Sequence, residues 1–358
     1  MLFSPKNLAF GLDIGDKSIK IAELKFIKNL RGKEYLVLTS FNETPIPEGM
    51  IVNGEIKNAP EVIKTIKTCV KNVRGRYLST RSVIASLPES QSYLKIVTIP
   101  KNKRESVNHD FVESILSQHF PIETNRLYFD WQFIDSDKIM IGAAPKNIVD
   151  SFMSVIEQAD LIPLSMEIES IAISRALLNG GDASDKKYKI IMDLGATRSS
   201  IIATYQNNPV LTLNIPLSGD GMTQEIAKSE KISFEKAEEL KLLCGFDVQK
   251  CPVKIKKILS SIISSSVKKI ETGIHYINRL LRIKMDKIYI CGGVSGMAKL
   301  TISLSDKLKV KVRHADPLGN IVVDKKIAAS NEELLKYTTA IGLAIRGTEH
   351  DVLILNNK

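Results

Sequence analysis

Two stretches of the sequence, LDIGDKSIKIA (12–22) and MDLGATRSSII (192–202), align without a gap. Both read as an apolar strand carrying an aspartate (Asp13, Asp193), followed by a glycine, a polar turn and a second strand. Conformation alone explains one such turn, because Asp and Gly both favour tight turns. The second copy, about half a chain length away, indicates an internal duplication with two similar lobes.

The composition of the repeated turn suits the phosphates of a nucleotide. Main-chain amides in a tight turn can form a nest for phosphate oxygens, and a nearby carboxylate can hold Mg²⁺ directly or through water. We therefore expect Asp13 and Asp193 to serve a Mg²⁺ ion, with the turns at Gly15 and Gly195 facing phosphates. A nucleotide clamped between the two lobes is the corresponding hypothesis.

Two further segments fit this hypothesis. CGGVSGM (291–297) follows an apolar strand and precedes a helix, so Gly292, Gly293 and Gly296 can let the main chain approach a purine and ribose. In KAEELKLLCG (236–245), Glu238 and Lys241 share a helix face. This pair either contacts the ribose hydroxyls and base or is a solvated ion pair.

Composition excludes several classes of protein. The 358 residues are 44% hydrophobic and 25% charged, which is typical of a folded protein, and the net charge of +10 favours an anionic partner. Dispersed lysines and only 6% aromatic residues argue against nucleic acid, leaving peripheral contact with an anionic membrane. The four cysteines form no Cys-x-x-Cys pair, so we expect neither a disulfide framework nor a zinc site. No apolar stretch approaches membrane-spanning length, which predicts a cytoplasmic protein.

Strand and helix patterns predict an α/β fold with two duplicated lobes and a small α+β insert. The insert reads as a compact β-α-β-β-α-β unit with helices over 103–119 and 146–159, and a closing helix is predicted over 331–345. The predicted boundaries are 1–90 for the first half of lobe I, 91–165 for the insert, 166–187 for the crossover and linker, 188–221 for the first part of the lobe II core, 222–286 for a helical subdomain, and 287–358 for the rest of that core with a return to lobe I.

The insert holds the single tryptophan, Trp131, close to Tyr128, Phe129 and Phe133. It has no glycine-rich phosphate loop and no cluster of titratable residues, which favours partner binding over catalysis. Alternatively, those rings that point inward fill the core of the insert itself.

Six stretches together carry a family resemblance. They are GLDIGDKSIKIAEL (11–24), LPES (87–90), IPLSGDGMTQEIAKSEKISFEKAEELK (215–241), ICGGVSGMAKL (290–300), HADPLGN (314–320) and AIGLAIRG (340–347). Their order resembles that of the actin, sugar-kinase and heat-shock-chaperone ATPases, with the insert placed as in the cell-division protein FtsA. More specifically, the chain is similar to the PilM family of type IV pilus assembly proteins.

The resemblance implies ATP with Mg²⁺ as the cofactors and gives each motif a role. Asp13 would organise Mg²⁺, Gly15 and Ser18 would form its turn, and Lys20 would reach the β- and γ-phosphates. Asp193, Gly195, Ala196 and Thr197 would serve the second phosphate motif. Gly292, Gly293, Gly296, Glu238 and Lys241 would line the adenosine pocket.

Some residues depart from the family pattern. Asp16 would add a second carboxylate beside the γ-phosphate, which magnesium or Lys17 must compensate. Arg198, in the second turn, either assists phosphate binding or faces solvent. Glu167 and Glu169 are the nearby candidates for a catalytic acid, and a structural role is the alternative for both.

The resemblance further implies a scaffold or switch at the cytoplasmic face of the inner membrane. Its expected partners are the N-terminal tail of a PilN-type membrane protein, docking near the first lobe and its insert, and other inner-membrane platform and motor components of the pilus machine. The alternatives are an FtsA-like cell-division tether, a sugar-kinase-like enzyme and a pseudo-ATPase. Slow turnover is expected, because no strong base is placed to activate water.

Overall fold

The computed structural model describes residues 9–28, 32–99, 101–119, 122–178, 188–247 and 252–349. Residues 179–187 of the predicted crossover and linker (166–187) and the C-terminal residues 350–358 lie outside the described residues. Among the described residues, no helix combines the length and apolar character needed to cross a membrane.

The strands are β1 Phe10–Ile14, β2 Ser18–Lys28, β3 Glu34–Pro45, β4 Ile51–Val52, β5 Glu55–Ile56, β6 Arg74–Gly75, β7 Ser82–Leu87, β8 Tyr93–Thr98, β9 Leu127–Asp135, β10 Lys138–Pro145, β11 Ile162–Ile168, β12 Tyr188–Leu194, β13 Ser199–Tyr205, β14 Asn208–Ile215, β15 Lys287–Cys291, β16 Lys311–His314 and β17 Val322–Val323. The helices are α1 Ala59–Lys71, α2 His109–His119, α3 Lys146–Gln158, α4 Glu169–Leu178, α5 Gly219–Glu230, α6 Phe234–Cys244, α7 Val253–Leu281, α8 Leu300–Leu308, α9 Asn331–Leu334 and α10 Thr338–Arg346.

The chain folds into two compact units. Unit 1 takes its described residues from Met1–Gly181, Leu318–Ala328 and Thr339–Lys358. Unit 2 takes its described residues from Asp182–Pro317 and Ala329–Thr338. Each unit is built on its own β-sheet.

The main sheet of unit 1 has the strand order β11-β7-β1-β2-β3-β17, with β6 also paired to β3. Alternate residues of β1 point to opposite faces. Phe10 and Leu12 pack with α1 and α3 on one face, while Ala9 packs with α4 and α10 on the other. A Cβ on Gly11 would lie 2.0 Å from the Ala340 carbonyl oxygen, so only glycine lets α10 come this close.

The insert is smaller than predicted. It is a three-stranded antiparallel sheet of order β8-β10-β9 with α2 packed on it, and its core includes Val112, Leu116 and Ile141. The prediction of a six-element unit is wrong, because α3 packs into the main core of unit 1 and β11 pairs in parallel with β7. The insert therefore leaves the main sheet after β7 and returns at the start of α3.

The aromatic side chains of β9 divide between the two faces of the strand. Phe129 and Trp131 are partly buried and pack on the insert core, as the core alternative predicts. Tyr128 and Phe133 are 47% and 37% exposed. Strands β9 and β10 form a hairpin that turns at Ser136–Asp137.

Unit 2 repeats the α/β plan around a five-stranded sheet of order β14-β13-β12-β15-β16. Helices α5, α6, α7 and α8 pack on one face through a core that includes Met192, Ile201 and Ile290. The long helix α7 contributes Leu259, Ile263, Ile270 and other residues at helical spacing.

Two predicted helices are interrupted. The helix expected over 103–119 begins as a 3-10 turn, Lys101–Ser106, and α2 starts only at His109. The closing helix expected over 331–345 is α9, a 3-10 turn at Leu335–Tyr337 and then α10. Short 3-10 turns are frequent at the ends of α-helices and between them, and residue periodicity does not distinguish such a turn from an α-helix.

Candidate functional site

The first aspartate turn joins β1 to β2 in unit 1. The Gly15 N–H donates to the Ser18 carbonyl at 3.1 Å, which closes the turn around residues 16 and 17. The strand register places Asp13 opposite Lys20, and Lys20 opposite Glu43. The Lys20 ammonium lies 4.0 Å from Asp13 Oδ2 and 3.7 Å from Glu43 Oε1. One cation thus stands between two carboxylates.

Asp13 is a buried carboxylate with a dedicated donor. The side chain of Ser86, on the parallel neighbour β7, donates to Asp13 Oδ1 at 3.0 Å and accepts from the Ile14 N–H at 3.1 Å. Burial raises the pKa of Asp13 above its ordinary value, and Lys20 and Ser86 only partly oppose this shift. Burial disfavours the charged form of Asp13, and a bound cation would favour it. The position is therefore suited to bind a cation.

The second aspartate turn, between β12 and β13 in unit 2, has the same closure. The Gly195 N–H donates to the Arg198 carbonyl at 3.0 Å. Asp193 pairs across the parallel strands with Cys291, whose thiol donates to Asp193 Oδ1 at 3.7 Å. Burial and the negative charge of Asp193 raise the pKa of the Cys291 thiol well above its ordinary value, so it stays protonated as a donor.

The two turns therefore match in three respects: the closing hydrogen bond, an aspartate one residue before the strand ends, and a side-chain donor on the parallel neighbouring strand. The donors are Ser86 and Cys291. The turns differ directly across the hairpin, where the residue opposite the aspartate is Lys20 in unit 1 and Ser200 in unit 2. The predicted duplication thus extends to the local hydrogen bonding.

The residues of the turns fit phosphate and Mg²⁺. Asp13 and Asp193 supply carboxylate oxygens, the ligand type that Mg²⁺ prefers. Ser199, which follows the second turn, is 3% exposed, and its hydroxyl has no hydrogen-bond partner among the residues that the structure describes. An unsatisfied hydroxyl at this position is available to a ligand or an ordered water.

The first residues of α5 donate hydrogen bonds to the second turn. The Gly219 N–H donates to the Gly195 carbonyl at 3.1 Å, and the Asp220 N–H donates to the Ala196 carbonyl at 2.8 Å. These first helical amides are thereby satisfied by the turn. Thr197, at the tip, is half-buried. The carbonyls of residues 195 and 196 are thus fixed by the start of α5.

The helix pair Glu238 and Lys241 forms an ion pair with 2.6 Å between Nζ and Oε2. Lys241 is only 4% exposed, so the alternative of a solvated pair is wrong. Its ammonium also donates to the Gly219 carbonyl at 3.0 Å and to the Thr223 hydroxyl at 2.9 Å. Lys241 therefore ties α6 to the start of α5, whereas Glu238 is 35% exposed and faces solvent more. A contact of either residue with adenosine stays a prediction.

The three glycines after β15 have different environments. Gly292 has φ +85°, and a Cβ there would lie 2.5 Å from Asp193 Oδ1 and 2.6 Å from the Leu194 carbonyl. A Cβ on Gly293 would meet nothing within 4 Å, and one on Gly296 would meet only the Glu332 carbonyl at 3.6 Å. Gly292 is thus required by the fold, while Gly293 borders open space that a ligand can enter.

Asp16 and Lys17 at the tip of the first turn have partners within unit 1. Asp16 Oδ1 accepts from the Gly54 N–H at 2.9 Å, and the Lys17 ammonium lies 3.7 Å from Glu48 Oε1. The adjacent Asn53 carbonyl accepts from the Ser90 and Gln91 side chains, which lie between β7 and β8. The extra carboxylate thus fastens the turn to the entry of the insert, and its effect on phosphate stays a prediction.

The two candidate catalytic acids have structural contacts. Glu167 forms a two-pronged ion pair with Arg175, with distances of 2.6 and 2.8 Å. Glu169 accepts from the Glu89 N–H at 3.3 Å, while Glu89 accepts from the Ser170 N–H at 3.1 Å. These contacts support the structural alternative for both residues.

The sequence reasoning missed Ser86, Cys291 and Glu43. Each becomes relevant only through strand pairing, since the residue facing Asp13 or Asp193 depends on which strand lies beside it. A usable signal for Ser86 was a polar residue with apolar neighbours on both sides inside the strand SVIASL.

The paired α/β units with matching aspartate hairpins define an actin-like ATPase fold. The chain belongs to the family described as "Type IV pilus assembly protein PilM", whose family model matches residues 11–348. The fold class and the family predicted from the sequence are both confirmed.

Two solved structures are similar to this chain in fold. A solved PilM–PilN type IV pilus biogenesis complex matches with a TM-score of 0.80 and 21% identity, covering 96% of this chain and 100% of the other. MreB 5 of Spiroplasma citri, solved with AMPPNP, matches with a TM-score of 0.55 and 12% identity, covering 97% of this chain and 98% of the other.

The cell division protein FtsA of Streptococcus pneumoniae serotype 2 (strain D39 / NCTC 7466) is 22% identical over 306 residues, or 78% of this chain. The match spans 64% of the length of that FtsA, less than two thirds of it. The pilus-assembly family match thus favours the pilus hypothesis over the cell-division alternative.

Proposed function

We propose that this protein is an ATP-dependent switch of type IV pilus assembly that binds ATP and Mg²⁺ through its two aspartate turns. The observation that carries the proposal is the match between the turns, down to the donor on the parallel neighbouring strand. Membership of the PilM family and the similarity to a nucleotide-bound MreB support it.

Each turn has defined tasks in this proposal. In unit 1, Asp13 positions Mg²⁺, Lys20 contributes positive charge to the phosphates, and the amides near Gly15 and Ser18 donate to phosphate oxygens. In unit 2, Asp193 positions Mg²⁺ in the same way, and the turn at residues 195–197 borders the phosphates. Mg²⁺, when bound, supplies charge neutralisation between phosphate oxygens.

The glycine turn and α6 are proposed to receive the nucleoside. Gly293 has the open space that a purine or ribose needs. Gly296 is also uncrowded, and Glu238 is exposed enough to accept from ribose hydroxyls.

We propose slow turnover, consistent with a switch. A general base must reach the attacking water, and the carboxylate of Glu167 is committed to Arg175. The nucleotide state, rather than rapid hydrolysis, then biases the binding of partners.

Titration calorimetry with ATP and Mg²⁺ tests the nucleotide site. Asp13→Asn keeps the acceptor for Ser86 while removing the charge, and should weaken binding by roughly ten- to a hundredfold, or about 1.5–3 kcal/mol. Asp193→Asn should act likewise. Asp306→Asn, an exposed change on α8, is the charge-matched control. Equal affinity in the wild type and Asp13→Asn would refute the assignment.

We further propose that the N-terminal tail of a PilN-type membrane protein docks as an extended peptide on the insert, which places this protein at the cytoplasmic face of the inner membrane. The match to a PilM–PilN complex supports this partner. Strands β8 and β9 are the two edges of the insert sheet, and an edge strand can accept main-chain hydrogen bonds from a peptide. Other platform and motor components are proposed as further partners.

The register of the insert allows a clean test of this docking. Tyr93 pairs with Ala143, so the two ends of the insert are neighbours and a short Gly-Gly link can replace residues 93–143. This variant keeps α3 and β11 in the main core. It should lose capture of the PilN tail peptide in a pull-down while ATP binding remains. Capture equal to that of the wild type would exclude the insert from the docking site.

A further inference from the structure

The C-terminal half of α7 presents one continuous face to solvent. Its opposite side is buried in the core of unit 2 through Ile270, Ile274 and Ile277. The exposed side chains are those of Lys268, Lys269, Thr272, His275, Tyr276, Arg279 and Leu280. At about 100° per residue they fall within about 140° of the helix circumference, and we call this set the α7 basic face.

The cations of the α7 basic face are not neutralised within the part of the chain that the structure describes. No carboxylate oxygen there lies within 4.0 Å of the charged groups of Lys268, Lys269 or Arg279. By contrast, Lys254 in the first turn of the same helix pairs with Glu230 at 2.9 Å. Between positions 268 and 287 the sequence has six Lys or Arg residues and two acidic residues. The C-terminal half of α7 therefore carries an excess of positive charge over this stretch of the sequence.

Two apolar side chains lie among these cations. Tyr276 is 43% exposed and Leu280 is 53% exposed, and their spacing of four residues places them side by side on the helix. The long stems of neighbouring Lys and Arg side chains can lie along an apolar surface while their charges stay in a polar layer. Aromatic and aliphatic tips surrounded by cations are typical of helices that bind at a membrane interface.

We propose that the α7 basic face docks on the surface of an anionic phospholipid bilayer. The negative surface potential attracts Lys268, Lys269 and Arg279, together with Arg282 and Lys284 just beyond the helix. Tyr276 and Leu280 enter the interfacial region. Leu280 favours a bilayer over nucleic acid, because an aliphatic side chain cannot stack on bases as an aromatic one does. This inference does not depend on nucleotide binding.

Vesicle co-sedimentation of the full chain, without nucleotide, tests the proposal. Vesicles of phosphatidylcholine and phosphatidylglycerol in equal parts should sediment the protein, and phosphatidylcholine alone should not. Added salt should release it. Lys268→Gln with Arg279→Gln should weaken binding by about 25-fold, roughly fivefold per cation. Lys71→Gln with Lys325→Gln removes the same charge from exposed sites of unit 1 and should bind like the wild type.

A second variant separates a bilayer from other polyanions. Tyr276→Ser with Leu280→Ser keeps every charge and should still lower the affinity for vesicles severalfold. No sedimentation of the wild type, equal binding by the charge variant and its control, or unchanged binding by the Ser variant would each overturn the proposal. Binding to RNA or polyglutamate without binding to vesicles would assign the face to a macromolecular partner instead.

Discussion

Adjacent glycines after β15 provide a matched pair of substitutions. Gly292 has φ +85° and ψ 171°, a region that is essentially restricted to glycine, whereas Gly293 does not have positive φ. Replacing each by alanine adds the same single methyl group one residue apart. The two variants therefore differ in the backbone conformation that must accept the methyl and in the atoms that the methyl meets.

The structure predicts opposite effects on stability. Alanine at 292 costs about 1–3 kcal/mol in backbone strain. Its Cβ would also lie 2.5 Å from Asp193 Oδ1 and 2.6 Å from a backbone oxygen of Leu194, and relieving this overlap costs about 1–3 kcal/mol more. We expect Gly292→Ala to lower the melting temperature by roughly 5–15 °C. Gly293→Ala should leave it unchanged or slightly raised, because the methyl meets no atom within 4 Å.

The variant that leaves stability unchanged, Gly293→Ala, is the one that tests the affinity for the nucleotide. If a purine or ribose enters the space beside Gly293, the added methyl should weaken ATP binding by about tenfold or more in a protein that melts normally. Scanning calorimetry of nucleotide-free protein and titration calorimetry with ATP measure the two effects. Equal melting of Gly292→Ala and the wild type would refute the steric reasoning, and unchanged ATP affinity in Gly293→Ala would refute the pocket.

Three further predictions concern buried polar groups. Because burial raises the pKa of Asp13, the folded state holds this proton more tightly than the unfolded chain, so the contribution of Asp13 to stability should fall as pH rises from 3.8 to its raised pKa. Asp13→Asn should lack this contribution and be at least as stable at neutral pH, and urea unfolding across pH checks this. Burial raises the pKa of Cys69 to about 11, so iodoacetamide at about pH 8 should alkylate Cys69 and Cys291 only after unfolding, and fast labelling of the native protein would contradict it. Lys241→Met should cost about 1–3 kcal/mol by removing the ion pair with Glu238 and the donor to the Gly219 carbonyl and the Thr223 hydroxyl, and an unchanged urea midpoint would argue against these contacts.

The sequence was most informative where chemistry is local. The hairpins at Asp13 and Asp193 were predictable because apolar alternation, a glycine and a polar turn lie within a dozen consecutive residues. The bounds of α6 were predictable for the same reason, since Ser233 caps its start and Gly245 ends it.

The sequence was least informative where distant segments pair. Strand β11 reads like the last strand of the insert, and only its parallel pairing with β7, nearly eighty residues earlier, places it in the main sheet. In the same way, the burial of Lys241 depends on Gly219 and Thr223, which are on another helix. Nothing in the spacing of residues 236–245 distinguishes a buried lysine from a solvated one.

The insert enters and leaves unit 1 at a single place. Only five residues separate β7 from β8, and β10 runs directly into α3. Tyr93 and Ala143 are paired neighbours, and the residues between them contribute no strand to the main sheet. At such a junction, the inserted module can grow, shrink or be exchanged for another during evolution while the strands of the main sheet keep their partners. A lineage can thereby acquire a new binding specificity without redesigning the fold that carries it.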